Sequence, residues 1–346
     1  MPALTNKEIW LRIIESEKVI DDRFFDIKRI DPNGGSGQFS LVFLAKDKMS
    51  KRNKEVVLKF YNPNRMSAED KYFYDAFFRE GEILNSLRGK RNILPFIKGI
   101  ETINISVPIS PTPFVLPFNY YVVHKAKCSV ADYIYGNSTT LIKNIRYFRE
   151  MCKGIQRIHA QKIAHRDIKP HNFLVFDYGY ICVSDFGSAR DYRMATHLIS
   201  DYDNSVFADP TYLAPEHCAF LCYSDEFNFF ADFFSLGCVL FELFTQSQLK
   251  NFIPFDSECN SLVSIDKKHR KNTFTDALIN LTNKYLLPDI QKINPGIPKY
   301  LHQELNKLYK SLAELDYRKR ERNFENIFRR INICEKLILI YSKKKY

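Results

Sequence analysis

Apolar residues recur along this chain at two different spacings, and the change of spacing divides it. Ile9, Trp10, Ile13 and Ile14 fall at helical intervals behind Thr5-Asn6-Lys7-Glu8, whose hydroxyl and carboxylate have the spacing of a capping box. A helix is expected there, within an N-terminal extension over residues 1–21. Over residues 24–59 the pattern changes to short strands around Asp31-Pro32-Asn33-Gly34-Gly35-Ser36-Gly37, a turn composition, and residues 38–46 read as a strand leaving that loop. Val56-Val57-Leu58-Lys59 is an apolar strand ending in a lysine, which is costly to bury unless phosphate or carboxylate meets it. Residues 105–117 hold Pro108, Pro111, Pro113 and Pro117 and are expected to form an extended surface insertion, because proline cannot donate to a central ladder. Strand character resumes in Tyr120-Tyr121-Val122-Val123.

The second half reads as helical. Tyr147, Phe148, Met151, Ile155 and Ile158 keep one face apolar. The run from Ala231 to Phe241 is apolar nearly all round, which predicts a central buried helix in which Asp232 needs hydrogen-bond partners. Several more helices are expected over residues 246–316. Between the two helical stretches, Phe173-Leu174-Val175-Phe176 and Tyr180-Ile181-Cys182-Val183 read as short strands joined through Asp177-Tyr178-Gly179. That hairpin would bring Asn172 and Asp185 together.

Composition narrows the class. With 346 residues, 45% hydrophobic content, 29 Phe and 20 Tyr, the chain can bury a sizeable core and is not a disordered polymer. No apolar run reaches the roughly 20 residues that span a bilayer, so no membrane span is expected, and the polar residues 1–8 do not resemble a leader peptide. The 8 cysteines lack the paired short spacings of a zinc site or redox dithiol, Cys218 and Cys222 included. Buried, reduced thiols are expected, hence a cytoplasmic or other reducing intracellular compartment, the nucleus among them. The formal charge of +11 favours anionic partners. Much of the excess lies in Arg318-Lys319-Arg320, Arg329-Arg330 and Lys343-Lys344-Lys345, read as solvated faces, and nucleic-acid binding is not expected.

The chemistry concentrates in His165-Arg166-Asp167-Ile168-Lys169-Pro170-His171-Asn172, followed by Asp185-Phe186-Gly187. Asp167 can accept a hydroxyl proton, Lys169 can neutralise a phosphoryl group, and Asn172 with Asp185 can offer oxygens to a hard cation. Either tripeptide alone would mean little, but their order and spacing together are specific. These residues resemble the catalytic and metal loops of the eukaryotic-type protein kinase family, H-R-D-L-x-x-x-N and D-F-G. The resemblance covers residues 24–333.

What the resemblance implies is concrete. The fold is α+β and two-lobed: an N-lobe over residues 22–123 with a small antiparallel sheet and one main helix, then a hinge and a larger, mostly helical C-lobe over 124–335, with a basic tail over 336–346. Gly35, Gly37 and Val42 match the nucleotide-covering loop, with Ser40 where a third glycine is usual. Lys59 is the phosphate-anchoring lysine and Glu80 its helical partner, while Glu82, roughly 200° further round the helix, faces away. Gly81 weakens that helix, either as room for movement or incidentally. Val57 roofs the adenine, Val123 borders the back of its pocket, and His124 and Ala126 with Lys125 form the hinge, His124 being read as a plain exposed side chain. Leu174 completes the cofactor-binding set. Asp167, Lys169, Lys59 and Glu80 are the catalytic set, Asn172 and Asp185 the magnesium ligands, and ATP the phosphate donor.

Asp232 is expected to bind the backbone around His165-Arg166-Asp167, and Glu216 of Ala214-Pro215-Glu216 to pair with Arg320. Lys169 favours serine/threonine acceptors on protein substrates. Arg166 implies control by phosphorylation at Thr196, Ser200, Tyr202 or Ser205. Asp209 departs from the family's usual threonine, and this extra carboxylate is expected to pair with Lys169 or crowd Asp167 with like charge. Asp209 and Ser40 keep open an alternative, a pseudokinase that binds nucleotide as a scaffold. A small-molecule kinase is disfavoured by Ala214-Pro215-Glu216.

Overall fold

In the computed structural model the described residues are 6–30, 40–62, 68–107, 114–136, 139–193 and 207–342. Thr5, Gly35, Gly37, the candidate phosphorylation positions Thr196, Ser200, Tyr202 and Ser205, and Lys343 to Lys345 lie outside them. The chain forms two compact units, one up to Ala126 and one from Lys127.

In the first unit, helix α1 (Asn6–Ser16) precedes strands β1 (Val19–Ile20), β2 (Phe24–Arg29), β3 (Ser40–Asp47) and β4 (Glu55–Tyr61), helix α2 (Ala68–Ser86), and strands β5 (Phe96–Val107) and β6 (Phe114–His124). The strands make one sheet in the order β1-β2-β3-β4-β6-β5, every pair antiparallel. Strand alternation sorts their side chains. Leu41, Phe43, Ala45, Val56, Leu58, Phe60, Phe118, Tyr120 and Val122 point to one face and pack with Leu11, Ile13 and Ile14 of α1. Val42, Val57, Lys59, Tyr121 and Val123 take the other face, as the register Val42↔Lys59↔Tyr121 and Leu44↔Val57↔Val123 requires. The predicted N-terminal helix is thus a wall of the sheet's core.

Residues 105–117 depart from the surface insertion expected of them. Asn104↔Pro117, Ile105↔Leu116, Ser106↔Val115 and Val107↔Phe114 extend the β5–β6 ladder, with residues 108–113 outside the described set. The β4 pairing to β6 stops at Tyr120, so Pro117 lies where β6 has β5 alone as neighbour and its missing N–H breaks no ladder.

The second unit opens with β7 (Cys128–Ser129), α3 (Val130–Tyr135) and α4 (Leu141–Ala160). Then follow β8 (Ile163–Ala164), β9 (Phe173–Val175), β10 (Ile181–Val183), β11 (Arg190–Asp191), α5 (Pro215–Cys218) and α6 (Asp225–Thr245). Helices α7 (Asp256–Asn260), α8 (Lys267–Lys284), α9 (Ile290–Ile293), α10 (Lys299–Leu312) and α11 (Phe324–Ser342) complete it, α11 running on past residue 336. The apolar α6 is 21 residues long, enough by length and composition to cross a bilayer, yet 94% of its apolar window is buried inside the protein. It is the core helix. At Gly237 an added Cβ would stand 2.6 Å from the Ala313 nitrogen, so the absent side chain lets the end of α10 approach α6. All cysteines are free thiols and all but Cys128 are buried.

Candidate active site

In the first unit, β4 carries Lys59 to the face opposite α1, and α2 turns Glu80 toward it. Lys59 Nζ donates to Glu80 Oε1 and Oε2 at 2.9 and 2.8 Å, and Glu80 is only 4% exposed. The lysine lies 5.6 Å from the Tyr121 ring centroid, a cation–π contact that further supports its charge away from water. Glu82 is exposed, as the helical angle requires. At Gly81 a Cβ would meet Ile100 Cδ1 and Cγ1 at 2.6 Å, the end of a side chain that can move, where β5 packs on α2. Val57 and Val123 are buried cross-strand neighbours beside Lys59, and Val42 is half-buried opposite it. His124 ends β6 with an exposed side chain, and Ala126 is half-buried at the close of this unit.

In the second unit, antiparallel pairing of β9 with β10 through Phe173↔Val183 sets Asn172 beside Ser184, and so near Asp185. Leu174 lies half-buried on β9. Ser184 staples the two loops. Its N–H and Oγ both donate to the Asn172 carbonyl at 2.9 and 3.0 Å, and its own carbonyl lies 2.9 Å from His165 Nε2. Sequence reading passed over Ser184; its only signal is a small hydroxyl residue directly before Asp185.

Asp232 of α6 holds the catalytic loop from beneath, accepting from the His165 and Arg166 N–H groups at 2.8 and 2.9 Å and meeting His159 Nε2 at 2.8 Å. Burial works against its charge, but His159, His165 and these donors outweigh it and keep its pKa below the usual carboxylate value. Arg166 can therefore sit in the left-handed region at φ 66°, its Nε donating to the Ser188 carbonyl at 2.6 Å.

Asp167, 8% exposed, receives Lys169 Nζ at 2.8 Å and Asn172 Nδ2 at 3.0 Å on Oδ2, and the Asp209 N–H at 3.2 Å on Oδ1. Burial lowers the Lys169 pKa, yet Asp167, with Asp185 and Asp209 behind it, raises it further, so the lysine stays charged. The expected pairing of Asp209 with Lys169 is not what forms. Its carboxylate accepts from the Thr211 N–H at 3.0 Å and caps the short 3₁₀ turn Pro210–Tyr212, because a carboxylate just before a helical turn finds unpaired N–H groups closest.

Both Asn172 Nδ2 hydrogens are used on Asp167, to its carbonyl at 2.8 Å and its carboxylate, which turns the amide oxygen away from them. Asp185, at φ 62°, is half-buried, and its carboxylate accepts no hydrogen bond from any described residue. Two hard oxygens, one of them an unmatched half-buried carboxylate, fit magnesium, which binds through few protein ligands and the phosphates of its substrate. No group of three His, Cys, Asp or Glu side chains among the described residues offers a closed metal cage.

Beyond the loop, Arg320 Nη2 donates to Glu216 Oε2 at 3.2 Å within a pair whose side chains are both 0% exposed, as expected from the sequence. A second acid went unread there: buried Glu242 accepts from the Tyr135 and Tyr212 hydroxyls at 2.5 and 2.7 Å.

Comparison with known proteins agrees with this geometry. The family described as "Protein kinase domain" matches residues 30–329. Serine/threonine-protein kinase PrkC of Bacillus subtilis (strain 168) is 30% identical over 268 residues, covering 77% of this chain and 34% of that protein. Serine/threonine-protein kinase Nek5 of Homo sapiens is 26% identical over 303 residues, 83% of this chain and 34% of its own length. Cyclin-dependent kinase E-1 of Arabidopsis thaliana is 26% identical over 222 residues, 62% of this chain and 43% of that protein. The chain thus spans well under two thirds of these three relatives. It belongs to the protein kinase family.

Proposed function

We propose that this protein transfers the γ-phosphate of ATP to serine or threonine hydroxyls of protein substrates. The observation that carries the reading is Asp167, held on one carboxylate oxygen by Lys169 and Asn172 while Asp185 keeps an unengaged carboxylate close by. Asp167 orients the acceptor hydroxyl and takes its proton, and Lys169 sets positive charge where the transferring phosphoryl group becomes most anionic. Asn172 and Asp185 would hold magnesium, which supplies neutralisation of phosphate charge. Lys59, kept in place by Glu80, contributes the cation for the remaining phosphates, and Val42, Val57 and Val123 give adenine an apolar wall beside it. Gly35 and Gly37 complete the nucleotide set from outside the described residues. Because Asp209 spends its carboxylate on a cap, one argument for the scaffold alternative weakens. The buried free thiols suit a reducing compartment.

The test is phosphate incorporation from ATP and magnesium, read by mass spectrometry on the purified protein and a serine/threonine peptide mixture, with Asp167→Asn as the control. Loss of a general base costs about 10²–10⁴ in rate. We expect incorporation on serine or threonine that disappears in the control. Retained nucleotide binding with no incorporation would overturn the reading in favour of a scaffold.

A further inference from the structure

A cavity lies within the first unit, at the end of the sheet where His124 closes β6. It is an open groove of about 460 Å³ whose lining includes Asp47, Lys54, Val56, Arg88, Phe96 and His124. This is within the range of small-ligand sites. Val56 and His124 are cross-strand partners one residue from the Val57↔Val123 pair, and alternation points them to the opposite side of the sheet from Lys59. Phe96 instead pairs with Val123 and meets the Tyr121 ring at 5.9 Å, on the Lys59 side.

Its charge is one-sided. Asp47, the single acid in the lining, is 3% exposed and fully used: Arg23 Nε and Nη2 both donate to it at 2.7 Å, and the Met49 N–H at 2.9 Å. Lys54 has no ion-pair partner among the described residues, and Arg88 donates to the Ile97 carbonyl, not to an acid. Neighbouring acids are engaged elsewhere, Glu55 with Lys125 at 2.7 Å and Asp21 with Lys98 and Tyr120. Partial covering of the His124 ring and the Lys54 ammonium both hold its pKa below the ordinary histidine value, with Asp47 a lesser opposing influence. Beneath this cationic rim the floor is apolar, with Val56 at 2% exposure and Ile97 packed against the same core.

Unmatched cations over an apolar floor make a complementary site for a negative group mounted on a hydrophobic body. We propose that this cavity binds an aryl or alkyl phosphomonoester, donated either by a free small molecule or by a phosphorylated side chain of a protein. Lys54 and Arg88 supply the charge and donors, and Val56 and Ile97 the apolar contact.

Titration calorimetry of the full chain with phenyl phosphate tests it, with inorganic phosphate and a phosphotyrosine peptide as parallel probes. Saturable binding is expected, weakened about tenfold by Lys54→Ala or Arg88→Ala, since each removes a charge-assisted contact. Both side chains are exposed, so these variants keep the fold. Lys59→Ala should leave this binding intact. A peptide bound at least about tenfold tighter than phenyl phosphate identifies a protein source, and equal affinity a small-molecule one. No saturable binding, equal binding of inorganic phosphate, or binding lost in Lys59→Ala but kept in the cavity variants would each overturn the proposal.

Discussion

A single buried imidazole reports on the stability of the second unit. His217 is 5% exposed, with Nε2 3.0 Å from Asn228 Oδ1, and burial lowers its pKa from 6.5 to about 4. Its folded pKa is depressed, so between pH 6.5 and 4 the unfolded chain takes up a proton that the folded one refuses. Stability therefore falls as the solution is acidified through that window, by on the order of 3 kcal/mol from this group at most. Glu242 works the other way, because burial raises its pKa and the folded state holds a proton that the unfolded chain has lost. Urea unfolding at pH 7, 5.5 and 4.5 should show a falling midpoint that is markedly flatter in His217→Gln. A variant as steep as the parent would assign the acid sensitivity elsewhere. None of this was legible beforehand: a histidine one residue after Glu216 carries no pattern that distinguishes a neutral buried ring from a charged surface one.

Two glycines inside helices separate contacts that can yield from contacts that cannot. Gly237 of α6 faces backbone atoms of Ala313, whereas Gly81 of α2 faces the far end of the Ile100 side chain. Gly237→Ala should therefore destabilise by about 1–3 kcal/mol, the usual cost of overpacking. Gly81→Ala should cost much less, since Ile100 can rotate and alanine favours helix by about 1 kcal/mol. Chemical denaturation of the two variants would rank them, and the reverse order would mean that α2 is the less adaptable contact. Element type was readable wherever periodicity was long, as in α4 and α6, and the β9–β10 hairpin followed from apolar runs around Asp177-Tyr178-Gly179. The β5–β6 ladder was misread because proline content says that a residue lacks a donor, not whether the missing donor faces a neighbour. Pro117 sits where it does not. Likewise Asp209 was recognised as out of place, but its choice of Thr211 over Lys169 depends on a turn that only the fold supplies.

For the molecule as a whole, long-range polar ties matter more than their number suggests. Glu216 and Arg320 are buried together, and Arg320 also donates to the Phe230 carbonyl at 2.8 Å and the Glu314 carbonyl at 2.9 Å. Removing one partner leaves a charge stranded in the interior. Arg320→Met should cost about 3–5 kcal/mol, and Glu216→Gln with Arg320→Met together clearly less than the sum of those two single changes. Urea denaturation of the four proteins closes that cycle, and strict additivity would show that the pair is not coupled. The catalytic set of the second unit was readable because its ligands are close in sequence, from Asp167 to Asp185. The cationic cavity was not, because its lining comes from five separate stretches of the first unit. The Glu216–Arg320 tie also has a consequence for how the protein is made. Its partners are 104 residues apart, so a ribosome adding about 5–20 residues per second leaves Glu216 waiting roughly 5–20 s for its counter-charge. During that interval α6, the most apolar of the described helices, is already synthesised but still lacks α10, one of the helices that bury it, so part of its apolar surface stands open on the nascent second unit.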